Sequence, residues 1–198
     1  MIKIIKKLSI FLTISLLNFA QVNASSGIVA IGDESAKITV KVFSSLTCPH
    51  CASFHDKIFD QLKKDYIDTK KVKFEHHGFP LDLAALNAEK VLRSIKDKDK
   101  SFEFLGEIYK KQNKWASKSD IKVINDSIKS IGKEFSLTES AMNKCLVDKI
   151  LEEKILNERI KAQKDYKISS TPTIYINEKK YEGKRDYKSF KKEIKKFL

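Results

Sequence analysis

The stretch Ile38-Thr39-Val40-Lys41-Val42-Phe43, followed after a four-residue gap by Cys48-Pro49-His50-Cys51, decides how this chain folds. The first six residues are β-branched, aromatic and alternating, which predicts a buried or half-buried strand. Beyond the second cysteine, Ala52, Phe54, Ile58, Phe59 and Leu62 recur at helical spacing, so a helix should open at the motif and run to about Lys64. Pro49 suits the first helical position because it lacks an N–H and its φ is fixed. Cys48 then occupies the N-cap, beside unpaired backbone N–H groups and the positive end of the helix dipole, which favour thiolate over thiol. Cys51, one turn inside, should be less exposed and suited to resolving a mixed disulfide.

Outward from that unit the pattern continues. A short strand is expected at Ile28 to Ile31. Val72-Lys73-Phe74-Glu75-His76 reads as a strand closed by Gly78-Phe79-Pro80, completing a βαβ unit with parallel strands. From about Ala84 to Asp165 every periodic signal is helical. Leu86 to Ile95 mark one helix, Phe102 to Tyr109 a second, and Ile121 to Ile131 a third that should stop at Gly132. Ser136 with Glu139 forms a capping-box pattern for a fourth, and Leu151 to Tyr166 could carry a fifth. Thr173-Ile174-Tyr175-Ile176, a turn at Asn177-Glu178, and Lys180-Tyr181-Glu182 ending at Gly183 predict an antiparallel hairpin. A last helix places Tyr187, Phe190, Ile194 and Phe197 on one face.

The N-terminus has a separate meaning. Lys3, Lys6 and Lys7, an apolar run from Leu8 to Phe19, and the small-residue site Val22-Asn23-Ala24 read as a secretory signal peptide over residues 1–24. The alternative, an uncleaved anchor, is weakened because the apolar run is shorter than the ~20 residues a membrane span needs. Cleavage of the 198-residue chain would leave 174, the size of one domain with a sizeable core, residues 25–198. Export to an oxidising compartment would make an even cysteine count suggest structural bridges, but the count is three. A passive Cys48–Cys51 ring would add little loop-closure stability. A zinc site would need ligands beyond the pair and His50 or His55. Redox exchange is the leading reading.

Net charge is +13, or +10 without the three signal lysines. Such a balance raises nucleic-acid binding, yet the cations are almost all Lys with acids between them, as in Lys96-Asp97-Lys98-Asp99-Lys100. That is the pattern of solvated helix faces, so no nucleic-acid partner is expected.

The element order βαβ, helical block, ββα, with Cys-x-x-Cys at the first helix and Thr171-Pro172-Thr173 before the hairpin, resembles the thioredoxin fold of the DsbA family of thiol:disulfide oxidoreductases. The resemblance covers the whole mature chain, with a helical insertion of about 80 residues at about 84–165. It implies that Cys48 is the nucleophile, Cys51 its resolving partner, and His50 a stabiliser of the Cys48 thiolate. It also implies that Pro172 follows a cis bond, with Thr171 facing the disulfide and offering backbone groups to an extended substrate. No cofactor or metal is implied. The expected partners of this periplasmic monomer are reduced, unfolded or partly folded secreted proteins and a DsbB-type quinone-linked membrane reoxidase. One departure stands out: many relatives carry a buried glutamate six residues before the nucleophile, and here that residue is Val42. Proton handling for Cys51 must then use another group or water. Competing functions are a reductase or isomerase, and a polypeptide-binding holdase with incidental cysteines.

Several residues have weaker claims. Cys145 lies with Leu137, Ala141, Leu146 and Ile150 on what reads as an apolar helix face and is expected to be a buried free thiol, the alternative being exchange or an intermolecular bridge. His55, four residues after Cys51, reads as surface or half-buried. His76 and His77 should point to opposite sides of their strand and so cannot share a metal. Trp115, Phe102, Phe104 and Tyr109 are expected in the core, with some of them as candidates for an apolar groove beside Cys48.

Overall fold

In the computed structural model, residues 28–198 are described; the expected signal peptide, residues 1–24, lies outside the described residues. Five strands form one sheet: β1 (Val29–Ile31), β2 (Ile38–Ser44), β3 (Val72–Gly78), β4 (Thr173–Ile176) and β5 (Lys179–Lys180), in the order β1-β3-β2-β4-β5. β2 and β3 run parallel, with Ile38 opposite Val72 and Val42 opposite His76. The connection between them is the helix that the cysteine motif opens, as a parallel pair requires. β4 lies antiparallel to β2, and β1 lies antiparallel to β3.

The connecting helix, α1, spans residues 49–67 and so runs three residues past the expected end. Its α-helical turns Pro49–Phe54 and Asp60–Leu62 alternate with wider π-helical turns at His55–Phe59 and Lys63–Ile67. The wider turns keep Phe54, Ile58, Phe59, Leu62, Tyr66 and Ile67 all buried. Alternate residues of β2 and β3, Ile38, Val40, Val42, Val72 and Phe74, supply the other wall of that core. Phe43, of opposite parity, joins Phe79, Ala162 and Ile168 in a second, smaller cluster.

Between β3 and β4 the chain is helical: α2 (Leu83–Ser94), α3 (Lys98–Lys110), α4 (Gln112–Trp115), α5 (Ile121–Glu134), α6 (Glu139–Val147) and α7 (Lys149–Asp165), with α8 (Tyr187–Ile194) after the hairpin. Side-chain oxygens of Asp82, Asp97, Asp120, Thr138, Asp148 and Asp186 accept from backbone N–H groups in the first turns of six of these helices. Each such cap contributes about 1 kcal/mol. No helix of the described residues is long and apolar enough to cross a membrane.

Four local expectations are corrected. α5 does not stop at Gly132 but continues to Glu134; the glycine is needed because a Cβ there would come within 2.4 Å of the Met142 sulfur on α6. The turn falls instead at Ser136, whose φ of 64° puts it in the left-handed region, so Ser136 does not cap α6. Thr138 does, its Oγ1 accepting from Ala141 N at 3.2 Å. The second hairpin strand is Lys179–Lys180, shorter than Lys180 to Glu182, after a turn in which Asn177 has φ 52°. Finally, Ile150 is 82 % exposed and does not share the buried face of Cys145.

Candidate active site

The site is assembled where the β2–α1 connection, α4 and the loop before β4 meet. Cys48 is the N-cap of α1, with φ −79° and ψ 119°, and Pro49 is the first helical residue. The Cys48 carbonyl closes the first turn, accepting from Cys51 N at 3.0 Å and Ala52 N at 3.2 Å. Upstream, Cys48 N donates to Ser45 O at 3.1 Å, which fixes the entry angle from β2. From the other side, the Gln112 amide, itself buried, donates to Leu46 O at 2.8 Å and Cys48 O at 3.1 Å. The loop before β4 contains the cis Thr171-Pro172 bond, and the Cys48 sulfur lies 3.3 Å from Thr171 O, to which it donates when protonated.

Both cysteines are free thiols, and Cys51, 2 % exposed, is the less exposed of the two as expected, while Cys48 is itself enclosed at 7 %. Their acidities diverge. The Cys51 thiol donates to the Cys48 sulfur; together with Thr171 and the backbone N–H groups of Cys51 and His50, it outweighs burial and holds Cys48 down to about 5. Burial pushes Cys51 far up, and the neighbouring Cys48 adds to that rise. One sulfur is thus a thiolate at neutral pH while its partner keeps its proton, the asymmetry that disulfide exchange requires. The Thr171 hydroxyl is buried without a partner of good geometry and faces the same two sulfurs. The His50 ring is exposed, and the group that His50 offers to Cys48 is its backbone N–H.

Around this centre, Thr47 Oγ1 donates to Asp82 Oδ2 at 2.7 Å, and Asp82 also caps α2 through Ala85 N at 2.7 Å. The flanking Leu81 and Leu83 are therefore held beside the motif, and they are 53 % and 55 % exposed. This corrects the expectation of an aromatic groove, since Phe102, Phe104, Tyr109 and Trp115 are all buried. The signal for the leucines was local: an Asp just before a periodic run marks a helix start. Gln112 carries no comparable signal. It sits in α4, a single short turn beyond the periodic pattern, and nothing in its neighbours marks it.

Val42 is buried, and the nearby charge lies elsewhere. His76, opposite Val42 on β3, pairs through Nε2 with Glu89 Oε2 on α2 at 3.0 Å. Arg93 Nε binds Glu89 Oε1 at 2.8 Å and its Nη1 reaches Glu158 Oε2 at 2.5 Å. His77 instead meets Glu75 on the opposite side of the strand, as alternation predicts. Among the described residues no cluster of three or more His, Cys, Asp or Glu side chains is arranged to hold a metal. Cys145 is buried, and its thiol donates to Met142 O at 3.1 Å.

Known proteins share this fold. The family model described as Thioredoxin matches residues 24–196. A relative from Rickettsia bellii is 30% identical over 149 residues, 75% of this chain but 56% of its own length, so the chain spans about half of that relative. Disulfide bond formation protein D of Bacillus subtilis is 30% identical over 186 residues, covering 85% of this chain and 76% of that protein. The crystal structure of Wolbachia pipientis alpha-DsbA1 superposes with a TM-score of 0.79 at 28% identity, covering 86% of this chain and 90% of that one. The chain belongs to the thioredoxin family, in its DsbA-like branch of disulfide oxidoreductases.

Proposed function

We propose that this chain is an exported dithiol oxidase that passes its Cys48–Cys51 disulfide to reduced, partly folded secreted proteins. The observation that carries this reading is the divided acidity of the pair: Cys48 held at about 5 at a helix N-terminus, Cys51 pushed up behind it. A stabilised thiolate favours the reduced form of the enzyme and so makes its disulfide a ready oxidant, which argues against a reductase. A substrate thiolate attacks Cys48 Sγ and Cys51 leaves. A second substrate thiolate then attacks the substrate sulfur of the mixed disulfide, and Cys48 leaves as the stabilised thiolate. Thr171 and Pro172 would align an extended substrate by backbone contacts. Leu81 and Leu83 would offer apolar contact to an unfolded chain. The charged start, apolar run and small-residue site in residues 1–24 support export to the periplasm, and a DsbB-type quinone-linked membrane protein would reoxidise the pair.

Cys51→Ala tests the assignment. The variant should accumulate mixed disulfides with reduced secreted proteins through Cys48, visible as adducts on non-reducing gels that vanish with reductant. A holdase with incidental cysteines would give none.

A further inference from the structure

A groove runs along the junction of α1 and α3 as two adjoining hollows of about 630 and 450 Å³, which share His55, Asp60, Glu103 and Gly106 in their lining. The nearer hollow begins at Ala52 and Ser53, about one helical turn beyond Cys48. Carboxylates stand on both walls at one-turn spacing: Asp56 and Asp60 on α1, and Asp99, Glu103 and Glu107 on α3. Like charges so spaced weaken a helix. Glu107 is answered by Lys110 and Lys111. The carboxylates of Asp56, Asp60, Asp99 and Glu103 form no ion pair or hydrogen bond among the described residues, although the chain carries a net charge of +13. Of the two lysines in the lining, Lys63 pairs with Asp68 and Lys110 with Glu107. The floor holds unsatisfied groups as well. His55 Nε2 is buried without a hydrogen-bond partner, and so is the hydroxyl of Tyr109, a residue 6 % exposed, although such groups normally find one. His55 opens a π-helical turn and stacks on Phe59, with ring centroids 4.3 Å apart. Gly106 lies over the His55 ring from the middle of α3, where glycine weakens a helix. A Cβ there would meet only His55 Cε1, at an ordinary 3.5 Å, so close packing does not require the glycine; its effect is to keep the floor of the groove open.

We propose that this groove is a substrate subsite that takes a basic segment of the polypeptide, its Lys or Arg side chains lying between the two rows of carboxylates. The subsite rests on the exchange reaction above and adds which reduced chains that reaction favours. Charge selects the occupant first, because four neighbouring carboxylates lack a counter-charge while the rest of this lysine-rich surface repels a basic chain. The lining selects it next. Phe59 and Phe102 in the farther hollow, with Tyr109 and Phe135 in the nearer, suit the methylene stem of Lys or the flat guanidinium of Arg. Burial holds His55 down to about 4, so its imidazole is neutral at physiological pH and offers a nitrogen acceptor at the floor. Length selects a chain over a single ion. From Ala52 to Lys63, α1 rises about 17 Å, the span of several extended residues. A polypeptide held at Cys48 reaches the groove with residues roughly two to six positions from its cysteine.

The test compares two reduced peptides, each with one pair of cysteines, that differ only in carrying lysine or glutamine at the third and fifth residues on either side of the pair. Each reduces the oxidised full chain, and the ratio of the two rates is read against the ratio the same peptides give with oxidised glutathione, which records their intrinsic thiol reactivity. At low ionic strength the chain should favour the lysine peptide about 5- to 20-fold beyond the glutathione ratio, and the excess should fade at about 0.5 M salt. In the double variant Asp60→Asn, Glu103→Gln, which alters exposed groups only, the ratio should fall to that of glutathione. A wild-type ratio equal to that of glutathione overturns the subsite, and so does an excess that survives in the double variant. Loss of the excess on adding spermidine at a concentration below that of the peptide overturns the polypeptide as occupant and assigns the groove to a small polyamine. Should the chain oxidise neither peptide, the exchange reading fails instead; calorimetric binding of a cysteine-free lysine peptide, lost in the double variant, still supports the subsite, and no binding overturns it.

Discussion

Glu89→Ala is expected to lower folding stability by about 3–5 kcal/mol, because it leaves two buried partners without their shared counter-charge. Glu89 is 1 % exposed and accepts from both His76 and Arg93, which themselves lie in the interior between β3, α2 and α7. The pairing holds the Glu89 carboxyl down to about 2 against a burial cost that acts the other way, with His76 the larger contributor and Arg93 next. The sign in pH follows. A carboxyl depressed in the folded state contributes stability that is fully present above its unfolded value near 4.5 and is lost as pH falls toward 2. Wild-type protein should therefore lose stability between about pH 5 and pH 2, and Glu89→Ala should show a shallower loss over that interval. Gly78 limits repair of this region, since a Cβ there would come 2.4 Å from Glu89 Oε1. Urea unfolding of both proteins at pH 7 and pH 3 checks the size and the slope together.

The second large effect concerns Cys48. Iodoacetamide should modify the reduced protein with a midpoint at about pH 5, the acidity set by the Cys51 thiol, Thr171 and the first N–H groups of α1. At pH 7 an ordinary thiol is a few per cent ionised, whereas Cys48 would be almost wholly thiolate. The same shift predicts how the two redox forms differ. Cys48 is depressed in the folded reduced state, so its contribution is present above the unfolded value near 9.0 and disappears as pH falls through about 5. The oxidised protein has no such group. Cys51, raised by burial, stays protonated in the folded protein and begins to ionise on unfolding only above about pH 8, so it adds no slope below that and partly offsets the rise near pH 9. The stability of the reduced form relative to the oxidised form should thus rise from pH 5 to pH 9, measurable as a widening gap in unfolding temperature. Thr171→Val, which removes the hydroxyl facing both sulfurs, should move the alkylation midpoint upward.

How much of this was legible in the chain itself depends on whether the cause was local. Cys48-Pro49-His50-Cys51 after a β-branched strand carries its own helix start, so the N-cap position, the parallel crossover and the inner place of Cys51 followed from spacing. Thr171-Pro172-Thr173 was legible only by resemblance, because sequence distance does not show that residue 171 lies against residue 48. The misplaced helix end at Gly132 has the same origin: the glycine answers to the Met142 sulfur across a helix contact, not to a chain reversal. Serine and Glu139 standing three apart read as a capping box, but Ser136 adopts the left-handed turn and Thr138 does the capping. Gln112 and Glu89 were invisible as residues supporting the site. Their importance comes from partners 13 to 66 residues away, and helical periodicity reports which side is buried without reporting what polar group is buried there.

The central claim is that the surroundings of Cys48 and Cys51 make this pair an oxidant. Equilibrating the purified chain against a graded series of reduced and oxidised glutathione, and reading the fraction of Cys48–Cys51 disulfide at each ratio, tests it most directly. The stabilised Cys48 thiolate predicts a midpoint more oxidising than the glutathione couple, with the pair held as dithiol even where oxidised glutathione is in excess. A midpoint well below that couple, with the disulfide persisting in excess reduced glutathione, would contradict it.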